Sequence, residues 1–120
     1  MQEIRPIGDK HEQEALAARC RIPFSRDSLA YGVFAGDRPV AMCQFRFTPP
    51  RNGEIGTCHL LSAGFVRPEN GASGDLLLLG VLAFCRAKGD LRLSWAGDLP
   101  EALLKAVERL TSEEANAGDW

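Results

Sequence analysis

One segment constrains the fold of this chain more than any other: the apolar run over residues 76–85. Its ten residues are all Leu, Val, Ala, Phe or Cys except Gly80. Cationic residues and then Gly89 follow it, which is typical of a helix C-terminus, so the pattern predicts a helix over residues 75–88. The run is about half as long as a bilayer span requires. We therefore expect no membrane insertion, and we expect this helix to be the most buried element because it is apolar nearly all round.

The residues before this helix have the composition of β-strands. Aromatic and β-branched residues flank a Gly-Asp turn, which predicts a hairpin with arms over residues 31–35 and 40–47. Residues 48–53 are a turn by composition, and residues 54–66 predict a third antiparallel arm that bulges near Gly64. Three meandering strands result.

Shorter patterns complete the order of elements. Residues 4–7 predict a first strand, and the spacing of Asp9 and Glu12 predicts the start of a surface helix that ends near Cys20. Alternation over residues 91–95 predicts a strand parallel to the third arm, with Trp95 in the core, and a last helix follows Asp98. The length fits one domain, 1–120, in which the polar residues 111–120 form a frayed tail.

Charge and cysteine usage exclude several classes of function. The chain has 14 Lys and Arg against 16 Asp and Glu, a net charge of −2, so it offers no general attraction for nucleic acid or anionic lipid. Its four cysteines lack the C-x-x-C pairs of zinc and redox sites, and no metal site is predicted. The N-terminal residues do not resemble a secretory signal. We expect a cytoplasmic protein with buried thiols.

The order of the elements resembles the GNAT superfamily of acyl-CoA-dependent N-acetyltransferases over about residues 4–110. The most specific part is Val66-Arg67-Pro68-Glu69, then Gly71-Ala72-Ser73-Gly74 and the apolar helix, which together are similar to the family's acyl-CoA segment. The resemblance implies a divergent or degenerate member with an α+β, α/β/α-like fold: a mixed, mostly antiparallel sheet flanked by helices. It also implies a truncated C-terminal end, whose strands are missing or supplied by a partner.

The resemblance further implies where acetyl-CoA or another acyl-CoA would bind. The cofactor's pyrophosphate would lie over Gly71, Ala72, Ser73 and Gly74, since the first N–H groups of a helix have no internal partners. Its pantetheine arm would run beside the backbone of Phe65 and Val66. However, no window matches the family's Arg/Gln-x-x-Gly-x-Gly/Ala loop, and Asp75 as a helix cap would occupy one of the N–H groups.

The catalytic residues are not determined by the sequence. Glu54 and Asp98 are the candidates for a general base, although a solvated charge and a helix cap are the alternative interpretations of the two. Tyr31, the only tyrosine, lies at the wrong place in the chain for the family's usual acid. His59 is interpreted as a partly buried structural residue, because strand neighbours such as Cys58 point to the opposite face.

Three functions remain open at this point. The first is an N-acetyltransferase that binds acyl-CoA and acts on a small-molecule or peptide amine. The second is a non-catalytic GNAT-like binding or dimerisation module, for example a homodimer, that has lost CoA binding. The third is an α+β interaction protein whose Trp120 tail docks elsewhere.

Overall fold

A computed structural model describes residues 1–89 and 91–117, with side chains through Leu110. The elements, in chain order, are β1 (Gln2–Pro6), α1 (Lys10–Arg19), β2 (Leu29–Ala35), β3 (Arg38–Thr48), β4 (Thr57–Phe65), α2 (Gly71–Ala87), β5 (Arg92–Trp95) and α3 (Glu101–Ala117).

The five strands form one sheet in the order β1-β2-β3-β4-β5. The hairpins β2–β3 and β3–β4 are antiparallel, with Tyr31 opposite Cys43 and Cys43 opposite Ala63. The pair β1–β2, which α1 connects, is also antiparallel. Only β4 and β5 are parallel, because α2 carries the chain across between them. The predicted fold class, a mostly antiparallel mixed sheet flanked by helices, is confirmed.

Helices α2 and α3 cover one face of the sheet and enclose the larger core cluster. Leu77, Leu78 and Val81 are fully buried, as expected for the apolar helix. Leu79, however, is 48% exposed. One stripe of α2 therefore faces outward, so the helix is less completely covered than its composition predicts.

Helix α1 packs on the other face of the sheet through small residues. The side chain of Asp9 accepts hydrogen bonds from the N–H groups of His11 and Glu12, which confirms the predicted start of this helix. The helix ends against β4 at Gly64, where a Cβ atom would lie 2.6 Å from the carbonyl oxygen of Cys20. Gly64 thus permits the close approach of α1 to the sheet.

Three local predictions differ from the structure. The bulge in β4 lies at Leu61, between the pairs Gln44–Ser62 and Phe45–Leu60, and not near Gly64. Trp95 is 39% exposed and not in the core, because it is the last residue of a short edge strand. Helix α3 continues to Ala117, and the remainder of the predicted frayed tail, residues 118–120, lies outside the described residues.

Candidate functional site

Strands β4 and β5 diverge halfway along β4 and leave part of its backbone without a partner. The two strands pair only from Thr57–Arg92 to Leu60–Trp95. The last hydrogen bond between them runs from the N–H of Ala96 to the carbonyl of Leu60, at 3.0 Å. Within the described part of the chain, residues 61–65 of β4 have no strand paired on that side. We call this open side the β4 groove.

Along β4, the backbone N–H and C=O groups of successive residues point alternately toward β3 and toward the β4 groove. The N–H of Val66 donates to the carbonyl of Val40 on β3, at 2.9 Å. Since the ladder is antiparallel, the N–H and C=O groups of Phe65 and Ala63 point the opposite way, toward the groove. Of the two residues predicted to accompany the pantetheine arm, Phe65 presents its backbone to the groove and Val66 is bonded to β3.

The predicted phosphate loop forms the first turn of α2. Asn70 is the N-cap, and its side-chain oxygen accepts from the N–H of Ser73, at 3.1 Å. The N–H of Gly74 donates to the carbonyl of Asn70, at 3.0 Å. Among the described residues, the N–H groups of Gly71 and Ala72 have no acceptor, and both residues are exposed. These two N–H groups are therefore the ones that an anion could reach.

The second half of the same turn faces the protein interior. The hydroxyl of Ser73 is buried and donates to the side-chain oxygen of Gln2, at 2.8 Å. A Cβ atom on Gly74 would lie 3.1 Å from the carbonyl oxygen of Ala102 in α3. Ser73 and Gly74 thus hold α2 against its neighbours, while Gly71 and Ala72 remain open.

Two acidic residues near the start of α2 bond to α3. The interpretation of Asp75 as the cap of α2 is wrong, because Asn70 caps the helix five residues earlier. Asp75 instead forms an ion pair with Arg109 of α3, at 2.6 Å. The carboxylate of Glu69 accepts from the N–H of Ala102, at 3.0 Å, and so caps α3. Both carboxylates are engaged by α3 and do not point toward the free N–H groups of α2.

A His–Ser pair lies next to the divergence and was not recognised as functional from the sequence. Nδ1 of His59 on β4 lies 2.7 Å from the hydroxyl of Ser94 on β5. His59 is half-buried and immediately precedes Leu60, the last residue of β4 that bonds to the β5 side. The alternation of side chains along β4 correctly predicts that His59 and Cys58 point to opposite faces of the sheet. The hydrogen-bond partner of His59, however, is Ser94, which is 35 residues away in sequence. No local pattern could show this contact.

The two predicted base candidates lie apart from each other. Glu54 is exposed in a turn closed by its own N–H and the carbonyl of Arg51, at 2.7 Å. Glu54 precedes Leu61, where the groove begins, by seven residues. Seven residues of extended strand span up to roughly 23 Å. Asp98 is exposed and follows Ala96, which places it nearer the divergence. Within the described residues its side chain accepts no hydrogen bond from α3, which Glu69 caps instead.

Tyr31 lies far from the β4 groove. It is on β2, with β3 between it and β4, so it is roughly 10 Å from β4. Its ring stacks on Phe45, with centroids 5.4 Å apart. Burial raises the pKa of its hydroxyl, with a further contribution from the neighbouring thiols. The phenol therefore stays protonated in the core.

All four cysteines are buried and free. Burial raises the pKa of the Cys20 thiol to about 11 and that of Cys43 to about 12. A hydrogen bond with Cys85, together with burial, raises the pKa of Cys58. The thiols of Cys20, Cys43 and Cys58 are therefore protonated at neutral pH and are not nucleophiles.

Residues 1–89 and 91–117 contain no group of three or more His, Cys, Asp or Glu side chains that could hold a metal ion. Their helices include none with the length and apolar character needed to cross a membrane.

Comparison with solved structures identifies the fold. An acetyltransferase from Trypanosoma brucei is 15% identical, with a TM-score of 0.67 over 92% of this chain and 91% of that one. A ribosomal-protein-alanine N-acetyltransferase from Brucella melitensis is 19% identical, with a TM-score of 0.59 over 92% and 90% of the two chains. An aminoglycoside acetyltransferase from an uncultured soil sample is 11% identical, with a TM-score of 0.61 over 92% and 86%.

The sequence itself has no comparable match. No protein-family model matches it. No curated protein matches it significantly. The structural likenesses nevertheless show that the chain shares its fold with solved acetyltransferases, as the resemblance in the sequence implies.

Proposed function

We propose that this chain is an acyl-CoA-dependent N-acetyltransferase that binds acetyl-CoA or another acyl-CoA along the β4 groove. The observation that supports it is the divergence of β4 and β5 after Leu60, in a fold shared with acetyltransferases. The divergence leaves backbone donors and acceptors of Ala63 and Phe65 open to an amide-containing ligand. An extended pantetheine arm carries amide groups that can bond to β4 as a neighbouring strand would.

The dimensions of the groove suit such a ligand. From Leu61 to Val66 the strand spans roughly 17 Å. The open N–H groups of Gly71 and Ala72 lie beyond one end, where they can bind the pyrophosphate. The His59–Ser94 pair lies at the other end, where the thioester would be placed. The arm therefore runs from the start of α2 to His59.

His59 is the residue that we assign to proton transfer. When bound, the acyl-CoA would supply a thioester: the amine would attack its acyl carbon, the C–S bond would break, and CoA would leave as the thiol. An amine is protonated at neutral pH and must lose a proton before it can attack, and a neutral imidazole can accept it. The hydroxyl of Ser94 at 2.7 Å fixes the orientation of the ring. Of the predicted candidates, only Asp98 lies near this end of the groove and could accept the proton through water.

The acceptor amine, from a small molecule or a peptide, would approach on the His59 face of the sheet. The connection between α1 and β2 borders this face. Buried Gln44 holds it there, because its amide oxygen accepts from the N–H of Ser25 at 2.8 Å and its amide nitrogen donates to the carbonyl of Pro23 at 2.7 Å. The four free thiols agree with a reducing compartment, and we place the protein in the cytoplasm.

The proposal is tested by measuring CoA release across a panel of amines. The variant His59→Gln keeps a side chain of similar size and is expected to lower kcat about 10²–10⁴-fold, with acyl-CoA affinity retained. The chain offers a matched control in His11→Gln, since His11 is the only other histidine and is exposed on α1. Equal activity of the two variants would exclude His59 from proton transfer.

A second function is favoured because several polar groups around the first turn of α2 already form hydrogen bonds within the protein. Asn70 and the N–H groups of Ser73 and Gly74 are occupied by the helix cap, and Glu69 is occupied by α3. A non-catalytic GNAT-like module, which binds a partner or dimerises, is compatible with these bonds. No thermal shift with acetyl-CoA or free CoA, together with no CoA release from any amine, would favour this alternative.

A further inference from the structure

A cavity of about 240 Å³ lies at the end of the sheet where β3 begins and β4 ends. Three arginines line it, each from a different part of the fold: Arg19 at the end of α1, Arg38 at the start of β3, and Arg67 in the segment between β4 and α2. We call this cavity the arginine pocket. It is on the β3 side of β4, whereas the β4 groove is on the side that faces β5.

The pocket is strongly positive although the whole chain carries a net charge of −2. No Asp or Glu lines it. In the described part of the chain, Arg19, Arg38 and Arg67 form no ion pair and donate no hydrogen bond to another side chain. Like charges brought together without a counter-charge cost free energy. The cluster is therefore arranged as a site that an anion would neutralise.

Neutral donors surround the same cavity. The side-chain oxygen of Gln2 accepts from the hydroxyl of Ser73, and among the described residues the amide NH₂ of Gln2 donates to no side chain, so it can donate to an anion. Asn70, which caps α2, is also at the wall, and the positive end of the α2 dipole adds to the field of the arginines. Guanidinium groups bind phosphate through two parallel hydrogen bonds, and three of them together match a doubly charged group with three terminal oxygens.

We propose that the arginine pocket binds a phosphate monoester, through Arg19, Arg38 and Arg67. Such a group could come from two sources. One is the 3′-phosphate of an acyl-CoA whose arm lies in the β4 groove, and the other is a separate phosphorylated ligand. Its three arginines take no part in the proposed proton transfer. The first source rests on the proposed function, and the second does not.

The test measures binding to the full-length chain with three probes: inorganic phosphate, CoA, and dephospho-CoA, which lacks the 3′-phosphate. The variants are Arg19→Gln, Arg38→Gln and Arg67→Gln. Arg51→Gln is the matched control, because Arg51 is an exposed arginine in the turn before β4, at the opposite end of that strand. All four arginines are exposed, so the variants are expected to fold, which their melting temperatures check.

We expect phosphate affinity to fall at least about tenfold in each pocket variant and to change less than about twofold in Arg51→Gln. Tighter binding of CoA than of dephospho-CoA, with the difference lost in the pocket variants, would assign the site to the cofactor's phosphate. Equal binding of the two, with phosphate binding still dependent on the arginines, would assign it to a separate ligand. If phosphate binding and the CoA preference are the same in all variants, the proposal is wrong. Phosphate binding without any CoA binding would instead refute the proposed function alone.

Discussion

Gly71 and Gly74 are three residues apart in one helical turn and have different tasks. No atom lies within 4 Å of a Cβ built on Gly71, whereas a Cβ on Gly74 would lie 3.1 Å from the carbonyl oxygen of Ala102. The two glycines of the predicted phosphate loop are therefore required for different structural reasons. Gly71 leaves the helix N-terminus accessible, and Gly74 lets α2 and α3 approach each other.

This difference predicts the outcome of two alanine substitutions. Both variants gain helix propensity over glycine, but Gly74→Ala also forces the backbone of α3 to move. We expect Gly74→Ala to be less stable than Gly71→Ala by about 1–3 kcal/mol in urea unfolding. Equal stability of the two variants would mean that α2 and α3 are farther apart at this point than described.

The raised pKa values of the thiols predict how stability depends on pH. Burial raises the pKa of Cys43 from 9.0 to about 12 in the folded protein. Above pH 9 the unfolded chain loses the thiol proton while the folded chain keeps it, so the folded state binds more protons and stability falls as pH rises. Each such thiol lowers the free energy of unfolding by about 1.4 kcal/mol per pH unit in that range.

Urea midpoints at pH 7, 9 and 10.5 measure this dependence. We expect little thiol-linked change below pH 9 and a steep decrease above it, and a shallower decrease in Cys43→Ala. Iodoacetamide should label the native thiols slowly at pH 7, since the thiolate is the reactive form. Fast labelling of the folded protein at pH 7 would contradict buried, protonated cysteines.

At the scale of single elements, α2 has a buried side and an exposed stripe. Leu78 is fully buried and its neighbour Leu79 is 48% exposed. We expect Leu78→Ala to lose about 2–5 kcal/mol of unfolding free energy, and Leu79→Ala to lose less than about 1 kcal/mol. Similar losses at the two positions would show that this helix packs with a different face toward the sheet.

Element boundaries depended on contacts that the sequence does not display. Asn70 and Asp75 are both residue types that cap helices, so the sequence alone could not choose between them. Tertiary contacts decide, because Asp75 pairs with Arg109 and Glu69 caps α3. The bulge at Leu61 was likewise unpredictable, since Gly64 is the more typical bulge residue and is instead required by the close approach of Cys20.

At the scale of the whole molecule, the topology could be predicted because it follows from local features. Two hairpins fix the three neighbouring strands β2, β3 and β4, and the apolar helix crossing over makes the last pair, β4 and β5, parallel. The site could not be predicted to the same extent. It depends on where β5 stops pairing with β4, and on a His59–Ser94 contact between residues 35 positions apart. The arginine pocket similarly joins arginines from α1, from β3 and from the segment after β4.

The most direct test of the account is a titration of the ¹⁵N-labelled chain with CoA, followed by amide chemical shifts. Binding along the β4 groove predicts saturable changes at Ala63, Phe65, Gly71 and Ala72. It also predicts that the amide of Glu54, in the turn before β4, stays unchanged. The amides of Ala63 and Phe65 point into the groove, and those of Gly71 and Ala72 have no acceptor in the described structure. Saturable changes confined to these positions would support the account. No change at any of them, or changes centred on the turn at Glu54, would contradict it.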